Sequence, residues 1–167
     1  MGIHVYFIRV TRKIFSELIN DCDKLVEFID QQLEVDEEIN YNWTEKAWEG
    51  LFFLIYDIKY FDTNTKKLAG TMLNGMPLYC KEYDWLTAEI QDPKHVKQIY
   101  NRLRSFTKDS LAKKYDAKLF SKLEIYPSRN NWDERDIEYL LSHWDGLLEI
   151  YRNAAEKNEY ILVYWSI

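Results

Sequence analysis

Residues 40–58, NYNWTEKAWEGLFFLIYDI, concentrate aromatic and aliphatic side chains inside a chain whose net charge is −6. Thr44 is suited to cap a helix, and Trp43 and Trp48 then have the spacing of a hydrophobic staple. Apolar residues recur beyond Trp48 at steps of three and four until they nearly encircle the helix, which is typical of a buried helix. A membrane span needs ~20 consecutive apolar residues, and this run is far shorter. The stretch therefore predicts the central core helix.

Both ends of the chain have the pattern of buried strands. Residues 3–10, IHVYFIRV, and residues 160–167, YILVYWSI, are short apolar runs rich in β-branched and aromatic residues. Because each run is apolar on both faces, we expect both strands inside a sheet that helices cover, and placing them side by side would satisfy both.

Helical periodicity fills much of the chain between these strands. Each apolar repeat follows a residue suited to cap a helix, namely Thr11, Asp21, Asp92 (with Pro93 next), Thr107, Asp116 and Asn131. The last helix is predicted to be the longest, with an apolar stripe from Ile137 to Ala155 and a capping box formed by Asn131 and Glu134. Asn158 can take the left-handed conformation that ends it.

One segment between the helices is irregular. Asn74-Gly75 is a strong turn signal and predicts a hairpin or tight loop. Residues 78–90, LYCKEYDWLTAEI, have no clear period and leave room for a short strand. Tyr79, Tyr83 and Trp85 lie here, outside the predicted core faces. Aromatic side chains on loops often serve recognition, although these three could instead cover the core beneath a loop.

The composition fits one compact domain. A chain of 167 residues with 47% hydrophobic residues can bury one sizeable core, and five Gly and three Pro leave little linker material. The pattern predicts an α+β fold: a single domain over residues 1–167, in which a small mixed sheet includes the N- and C-terminal strands and packs against several helices. The run EVDEE at 34–38 lacks calcium-loop spacing and predicts a solvated acidic loop.

Cysteine usage and the N-terminus suggest the cytoplasm. Arg9 comes too early for the apolar part of a secretory signal. Cys22 and Cys80 lie far apart in the sequence, which fits reduced thiols better than a disulfide scaffold. We therefore expect a cytoplasmic protein without a membrane segment.

Motifs for catalysis or metal binding are missing from the sequence. It contains no Gly-rich phosphate loop and no paired Cys or His at zinc spacing. A nucleophilic set of Cys80, His143 and Asp145 would rest on no recognisable nucleophile motif. The sequence thus predicts no catalytic residue, no metal site and no cofactor, and it favours a binding protein over an enzyme.

Charge is unevenly placed along the chain. Residues 15–50 hold eleven acidic and two basic side chains, and residues 92–122 hold nine basic and three acidic ones. The two segments could be neighbouring solvated faces that attract each other weakly, or the basic one could meet an acidic partner or a phosphate. Nucleic-acid binding would use Lys94, Lys97, Arg102, Arg104, Lys113 and Lys114. The acidic total argues against it.

Several motifs together resemble the YfbM-like family of bacterial proteins of unknown function. The resemblance rests on their order and covers nearly the whole chain: Tyr6-Phe7, the helix from Trp48 through Leu51 to Ile55, Asn74-Gly75, Asp92-Pro93 through Leu103, Ile125-Tyr126-Pro127 and the end LLEIYRNAAEKNEYILV. The resemblance implies a compact α+β domain and no assigned activity. Members often have a histidine where this chain has Phe52, and commonly Gly-Gly at Asn74-Gly75. Phe52 therefore favours binding over chemistry.

Two hypotheses follow. The first is a non-enzymatic protein-interaction or regulatory module, whose partner is another protein. The second is a small-ligand-binding protein or enzyme with a pocket near Asn74, Tyr83 and Tyr126. The candidate binding residues are Asn74, Gly75, Tyr83, Trp85 and Tyr126.

Overall fold

The two terminal strands lie side by side at the centre of a five-stranded sheet in the computed structural model, which describes residues 2–34, 40–61, 63–127 and 131–166. The strands are β1 (His4–Val10), β2 (Tyr41–Trp43), β3 (Met76–Leu78), β4 (Thr87–Gln91) and β5 (Tyr160–Ser166). Their order across the sheet is β2-β1-β5-β4-β3. The α+β class and the adjacency of the termini are confirmed. The sheet predicted as mixed is antiparallel at each of these four pairings.

Helices cover both faces of the sheet. They are α1 (Arg12–Leu18), α2 (Cys22–Glu34), α3 (Trp48–Tyr56), α4 (Thr65–Leu68), α5 (Pro93–Leu103), α6 (Lys108–Lys114), α7 (Ala117–Lys122), α8 (Asp136–Ser142) and α9 (Trp144–Lys157). Successive side chains of a strand point to opposite faces, so Phe7 enters one core and Ile8 the other. The larger core contains side chains of α3 to α9, and the smaller one contains those of α1 and α2.

Helix α3 is the predicted central helix, but it begins later than predicted. Seven of its nine residues are buried, including Trp48 and Phe52, which confirms the core assignment. Thr44 does not cap it, because its Oγ1 donates a hydrogen bond to the carbonyl oxygen of Val5 at 3.1 Å. Trp43 belongs to β2, which pairs with β1. Sheet pairing therefore replaces the predicted cap and hydrophobic staple.

Most other predicted helix ends are confirmed. Thr11, Asp21, Asp92, Thr107 and Asp116 each accept a hydrogen bond from the backbone N–H three residues on. Asn158 adopts the left-handed conformation, with φ 56°, at the end of α9. The acidic loop predicted at 34–38 lies outside the described residues from position 35 onward.

The longest predicted helix is two helices, and Asn131 caps neither. The first of them, α8, begins at Asp136. The indole N–H of Trp132 donates to the carbonyl oxygen of Ile125 at 2.7 Å, and this anchors the residue after Asn131 in the core. Asp136 Oδ2 then accepts the backbone N–H of Asp133 at 2.7 Å. The predicted capping box is therefore wrong, because packing of Trp132 delays the helix.

Candidate functional site

A disulfide links the two cysteines of the chain. Cys22 is the first residue of α2, and Cys80 follows β3, with 5.6 Å between their Cα atoms. This separation lies in the range that a disulfide requires. The prediction of reduced thiols is wrong, because the fold brings the start of α2 against the end of β3 across 58 residues of sequence. The cytoplasmic location, which rested partly on those thiols, stays a prediction.

The segment after Cys80 is a loop of two turns. The backbone N–H of Tyr83 donates to the carbonyl oxygen of Cys80 at 3.2 Å, and that of Leu86 donates to the carbonyl oxygen of Tyr83 at 3.0 Å. Before the loop, Pro77 lies in β3, at one edge of the sheet. The irregular segment predicted here is confirmed, together with a short strand, β4, at its end.

Exposed apolar side chains cluster around the disulfide. Among the described residues, six large hydrophobic side chains are exposed, and four of them lie here: Tyr79 (88%), Trp85 (55%), Met76 (46%) and Ile19 (36%). Ile19, Met76 and Tyr79 line one cavity of about 330 Å³ with both cysteines, and Tyr79 and Tyr83 line another of about 360 Å³. The rings of Tyr83 and Trp85 are in contact, with 5.9 Å between their centroids. We call Ile19, Met76, Tyr79, Tyr83 and Trp85 the disulfide surface.

The border of the disulfide surface is acidic. Tyr83 donates its hydroxyl hydrogen to Asp23 Oδ1 at 2.7 Å, which ties the loop to α2. This hydrogen bond and the charge of Asp23 raise the pKa of Tyr83. Residues 17–24 and 76–86 together carry five carboxylates, namely Glu17, Asp21, Asp23, Glu82 and Asp84, against two lysines. A ligand for this surface would therefore benefit from positive charge.

The turn predicted at Asn74-Gly75 lies earlier, at residues 71–74, where the backbone N–H of Asn74 donates to the carbonyl oxygen of Thr71 at 3.3 Å. Asn74 and Gly75 follow this turn and are held on β4. The backbone N–H of Gly75 donates to Glu89 Oε2 at 2.5 Å, and the carbonyl oxygen of Asn74 accepts from Gln91 Nε2 at 3.0 Å. A Cβ at Gly75 would lie 2.7 Å from the carbonyl oxygen of Ile90, so only glycine fits this close approach. Burial raises the pKa of Glu89, and the Gly75 hydrogen bond opposes that shift. These contacts give both residues a structural role.

A buried polar network holds Met72, two residues before Asn74, against the sheet. Tyr151 donates to Gln91 Oε1 at 2.8 Å, and Gln91 Nε2 donates to the carbonyl oxygen of Met72 at 2.9 Å. The Tyr56 hydroxyl accepts the backbone N–H of Met72 at 3.2 Å. Burial raises the pKa of both tyrosines. Both hydroxyls therefore remain neutral donors and acceptors inside the core.

Tyr126 lies at a third place, beside α3. Its hydroxyl accepts the backbone N–H of Ile3 at 2.7 Å, and its ring packs on Trp48. Its own N–H donates to Glu49 Oε2 at 2.7 Å, and the other oxygen of Glu49 accepts the N–H of Tyr60 at 3.0 Å. Glu49 is fully buried, and burial raises the pKa of its carboxyl group. The carboxylate joins two loops to α3.

The structure therefore divides the five predicted site residues among three places. It brings Tyr83 and Trp85 together, keeps Asn74-Gly75 on β4, and places Tyr126 beside α3. Whether any of them binds a ligand stays a prediction. Sequence reasoning missed the disulfide, the apolar side chains of Ile19 and Met76 next to it, and buried Glu49, because each depends on contacts between distant segments.

A separate cleft of about 390 Å³ lies between β2 and α9, lined in part by Arg9, Asn42, Asn153 and Lys157. Asn42 Oδ1 is buried and has no hydrogen-bond partner among the described residues. A Cβ at Gly146 would overlap Asn42 Nδ2, so the glycine allows α9 to approach β2 closely. Arg9 forms an ion pair with Glu159 at 2.8 Å. The cleft is polar, and its oppositely charged groups are partly paired.

Side chains of the basic segment have intramolecular partners. Arg102 Nη2 donates to the carbonyl oxygen of Ile55 at 2.8 Å, and Lys114 Nζ donates to that of Leu54. Both carbonyls belong to the last turn of α3, where helical partners run out. Lys97 Nζ donates to Asn158 Oδ1 at 2.8 Å. These cations therefore support α3 and the end of α9.

The described residues contain neither a metal-binding cluster nor a membrane-spanning helix. No three His, Cys, Asp or Glu side chains among them lie close enough together to hold a metal ion. No helix in the described ranges has the length and hydropathy of a membrane span.

Comparisons with known proteins identify the fold and no activity. The family model for a domain of unknown function, DUF1877, matches residues 1–164. The crystal structure of YfbM from Escherichia coli, described as a protein of unknown function, superposes with a TM-score of 0.71 at 16% identity, over 98% of this chain and 99% of that one. No curated protein matches the chain. The resemblance to the YfbM-like family is confirmed.

Proposed function

We propose that this chain, which belongs to the DUF1877 family of domains of unknown function, is a non-enzymatic module that binds a partner protein on the disulfide surface. The observation that supports this proposal is the grouping of four of the six exposed large hydrophobic side chains of the described residues around one disulfide. Exposed apolar side chains are unremarkable when scattered, whereas a contiguous patch marks an interaction site.

The side chains of this surface suit a protein interface. Tyr79 and Trp85 are large and exposed, and Tyr and Trp are enriched among the residues that dominate binding energy. The disulfide and the hydrogen bond from Tyr83 to Asp23 hold the loop before a partner arrives. Such preorganisation lowers the entropy cost of binding.

The acidic border specifies the chemistry of the partner. Five carboxylates against two lysines around the patch favour a protein surface that carries arginine or lysine beside an apolar centre. Arginine would also gain from the exposed ring faces of Tyr79 and Trp85. We therefore expect a basic partner whose association weakens as salt is added.

The alternative, a ligand or enzyme pocket near Asn74, Tyr83 and Tyr126, has less support. The cavity that Tyr83 lines includes neither Asn74 nor Tyr126. The carboxylates with a raised pKa, Glu49 and Glu89, accept backbone hydrogen bonds that fix loops in place. Their shifts follow from a structural role, and they are not accompanied by a converging set of catalytic groups.

Site-specific photo-crosslinking tests the proposal. A photoreactive amino acid replaces Tyr79 in the native host, the crosslinked protein is identified by mass spectrometry, and the purified partner is then titrated with the unmodified chain. The double variant Tyr79→Ser, Trp85→Ser should raise the dissociation constant by about 30-fold or more, as loss of interface anchors does. Raising the salt from about 0.05 to 0.5 M should weaken the complex further.

Leu119→Ser is the matched control, because Leu119 is an exposed apolar residue on α7, away from the disulfide surface. It should leave the dissociation constant unchanged. Equal affinity of the double variant and the control would contradict the proposal, as would a crosslinked protein that does not bind in the titration.

A further inference from the structure

We propose that the Cys22–Cys80 disulfide is a redox modification site, at which a dithiol reductant releases the loop that carries Tyr83 and Trp85 of the disulfide surface. The effect on a partner rests on the proposed function, whereas the release of the loop does not. Three observations support the inference: both cysteines are partly exposed, Cys22 begins a helix, and few other contacts hold the loop.

The disulfide is accessible from solvent. Both cysteines are only partly buried, and both line the cavity of about 330 Å³ next to Tyr79. A partly exposed disulfide outside the main core can meet a thiolate without unfolding of the protein. The bond therefore lies where a reductant can attack it.

The position of Cys22 makes its sulfur the better leaving group. It is the first residue of α2, a helix of 13 residues, and the positive end of the helix dipole favours a thiolate. Asp21 and Asp23 flank it and oppose part of this effect. Asp21 accepts the N–H of Lys24, however, and Asp23 accepts the hydroxyl of Tyr83, so both carboxylates already have donors.

The reaction is a thiol–disulfide exchange in two steps. A thiolate of the reductant attacks Sγ of Cys80, a mixed disulfide forms, and Cys22 leaves as a thiolate that takes up a proton. The second thiol of the reductant then attacks the reductant's first sulfur atom, which is bonded to Cys80 in the mixed disulfide. Cys80 is released as a thiol. Two electrons and two protons pass to the cysteine pair, and the dithiol becomes a disulfide.

The loop depends on this bond because its other attachments are few. Between Cys80 and Leu86 the backbone forms two local turns, and Lys81, Glu82, Asp84 and Trp85 are exposed. Besides the disulfide, the loop is held by Tyr83, which packs against the smaller core and donates to Asp23, and by Leu86, which is buried in that core. The sheet and the larger core do not include either cysteine. Reduction should therefore free the loop and leave the sheet intact.

The consequence would be control of binding. In the oxidised form Tyr83 and Trp85 are presented on a tethered loop that begins next to Tyr79. In the reduced form a partner would have to order the loop as it binds, which lowers affinity. The same surface would thus bind its partner best under oxidising conditions.

Limited proteolysis of the full chain tests the release directly. Lys81 is exposed in the loop, and Lys118 is exposed on α7 as an internal reference. Trypsin cleavage after each lysine is followed by mass spectrometry, with and without dithiothreitol. Reduction should speed cleavage after Lys81 about tenfold and leave Lys118 unchanged, as expected for local opening. The double variant Cys22→Ser, Cys80→Ser should match the reduced protein and should not respond to dithiothreitol.

Two results would overturn the inference: an unchanged rate at Lys81, or an equal acceleration at Lys118, since that would mean that the bond supports the whole fold. Titration of the crosslinked partner with both redox forms provides a second arm. Equal affinities would overturn the control of binding, even if Lys81 responds. Failure of the oxidised form to bind any partner would instead overturn the proposed function and leave the proteolysis result standing.

Discussion

The two faces of the sheet are held by different means. On one face, α3 buries seven of its nine residues, and side chains from six further helices, α4 to α9, complete the core. On the other face, the smaller core contains side chains of α1 and α2, and a disulfide ties the adjoining loop to α2. Burial therefore stabilises one face, whereas a single covalent bond supplies part of the order of the other. A disruption should therefore spread on the first face and stay local on the second.

The largest effect is expected from Phe52→His, on the first face. Phe52 is fully buried against Tyr56 and Tyr60, so the change removes apolar contacts and buries an imidazole. The free energy of unfolding should fall by about 3 kcal/mol or more. Urea unfolding measures it, with Phe52→Leu as the control at about 1–2 kcal/mol. An unchanged midpoint of urea unfolding would contradict the tight packing of this face in the structure.

The next effect is that of Cys22→Ser with Cys80→Ser, on the second face. The disulfide closes a span of 58 residues, and its removal should lower the free energy of unfolding by about 2–4 kcal/mol, chiefly through the unfolded state. The near-ultraviolet circular dichroism of the buried tryptophans should persist. If that signal collapses, the two faces are not held independently.

A smaller effect on the first face depends on pH. Burial raises the pKa of Glu49 above its ordinary value of 4.5, so the folded state favours the protonated form. Stability should therefore be lost as pH rises from about 4.5 through the raised pKa, by about 1.4 kcal/mol for each unit of elevation. Urea unfolding from pH 4 to 8 should show this loss in the parent chain and less of it in Glu49→Gln. Glu17→Gln, at an exposed position on α1, is the control and should follow the parent.

The smallest effect is that of Tyr79→Ser with Trp85→Ser. Both side chains are mostly exposed, so the free energy of unfolding should stay within about 0.5 kcal/mol of the parent. Thermal unfolding measures it. A large loss would show that the disulfide surface supports the fold, and it would weaken its assignment to binding.

Periodicity and capping predicted the parts of the fold that depend on neighbouring residues. These parts depend on residues that are close together in the sequence. They are the terminal strands, the burial of α3 and the caps at Thr11, Asp92 and Asp116. The start of α3 differs from the prediction because Thr44 donates a hydrogen bond to Val5, which is 39 residues away. A local pattern contains no information about such a competitor.

The candidate site was less predictable for the same reason. Tyr83 and Trp85 could be selected from their position in an irregular aromatic segment. The disulfide could not, since nothing in the spacing of Cys22 and Cys80 indicates that α2 starts beside β3. The sequence also suggests one pocket near Asn74, Tyr83 and Tyr126, and the structure gives each of them a separate set of contacts.

Pro77 determines how a partner can approach this side of the molecule. It is the middle residue of a three-residue strand at the sheet edge, and proline has no N–H to offer to an added strand. Main-chain recognition, in which a peptide extends the sheet, is therefore blocked at the edge nearest the disulfide. A second copy of the chain is kept from stacking there by the same means. A partner that binds beside Pro77 must make its contacts through side chains. Recognition would therefore depend on the sequence of the partner and not on an extended backbone alone.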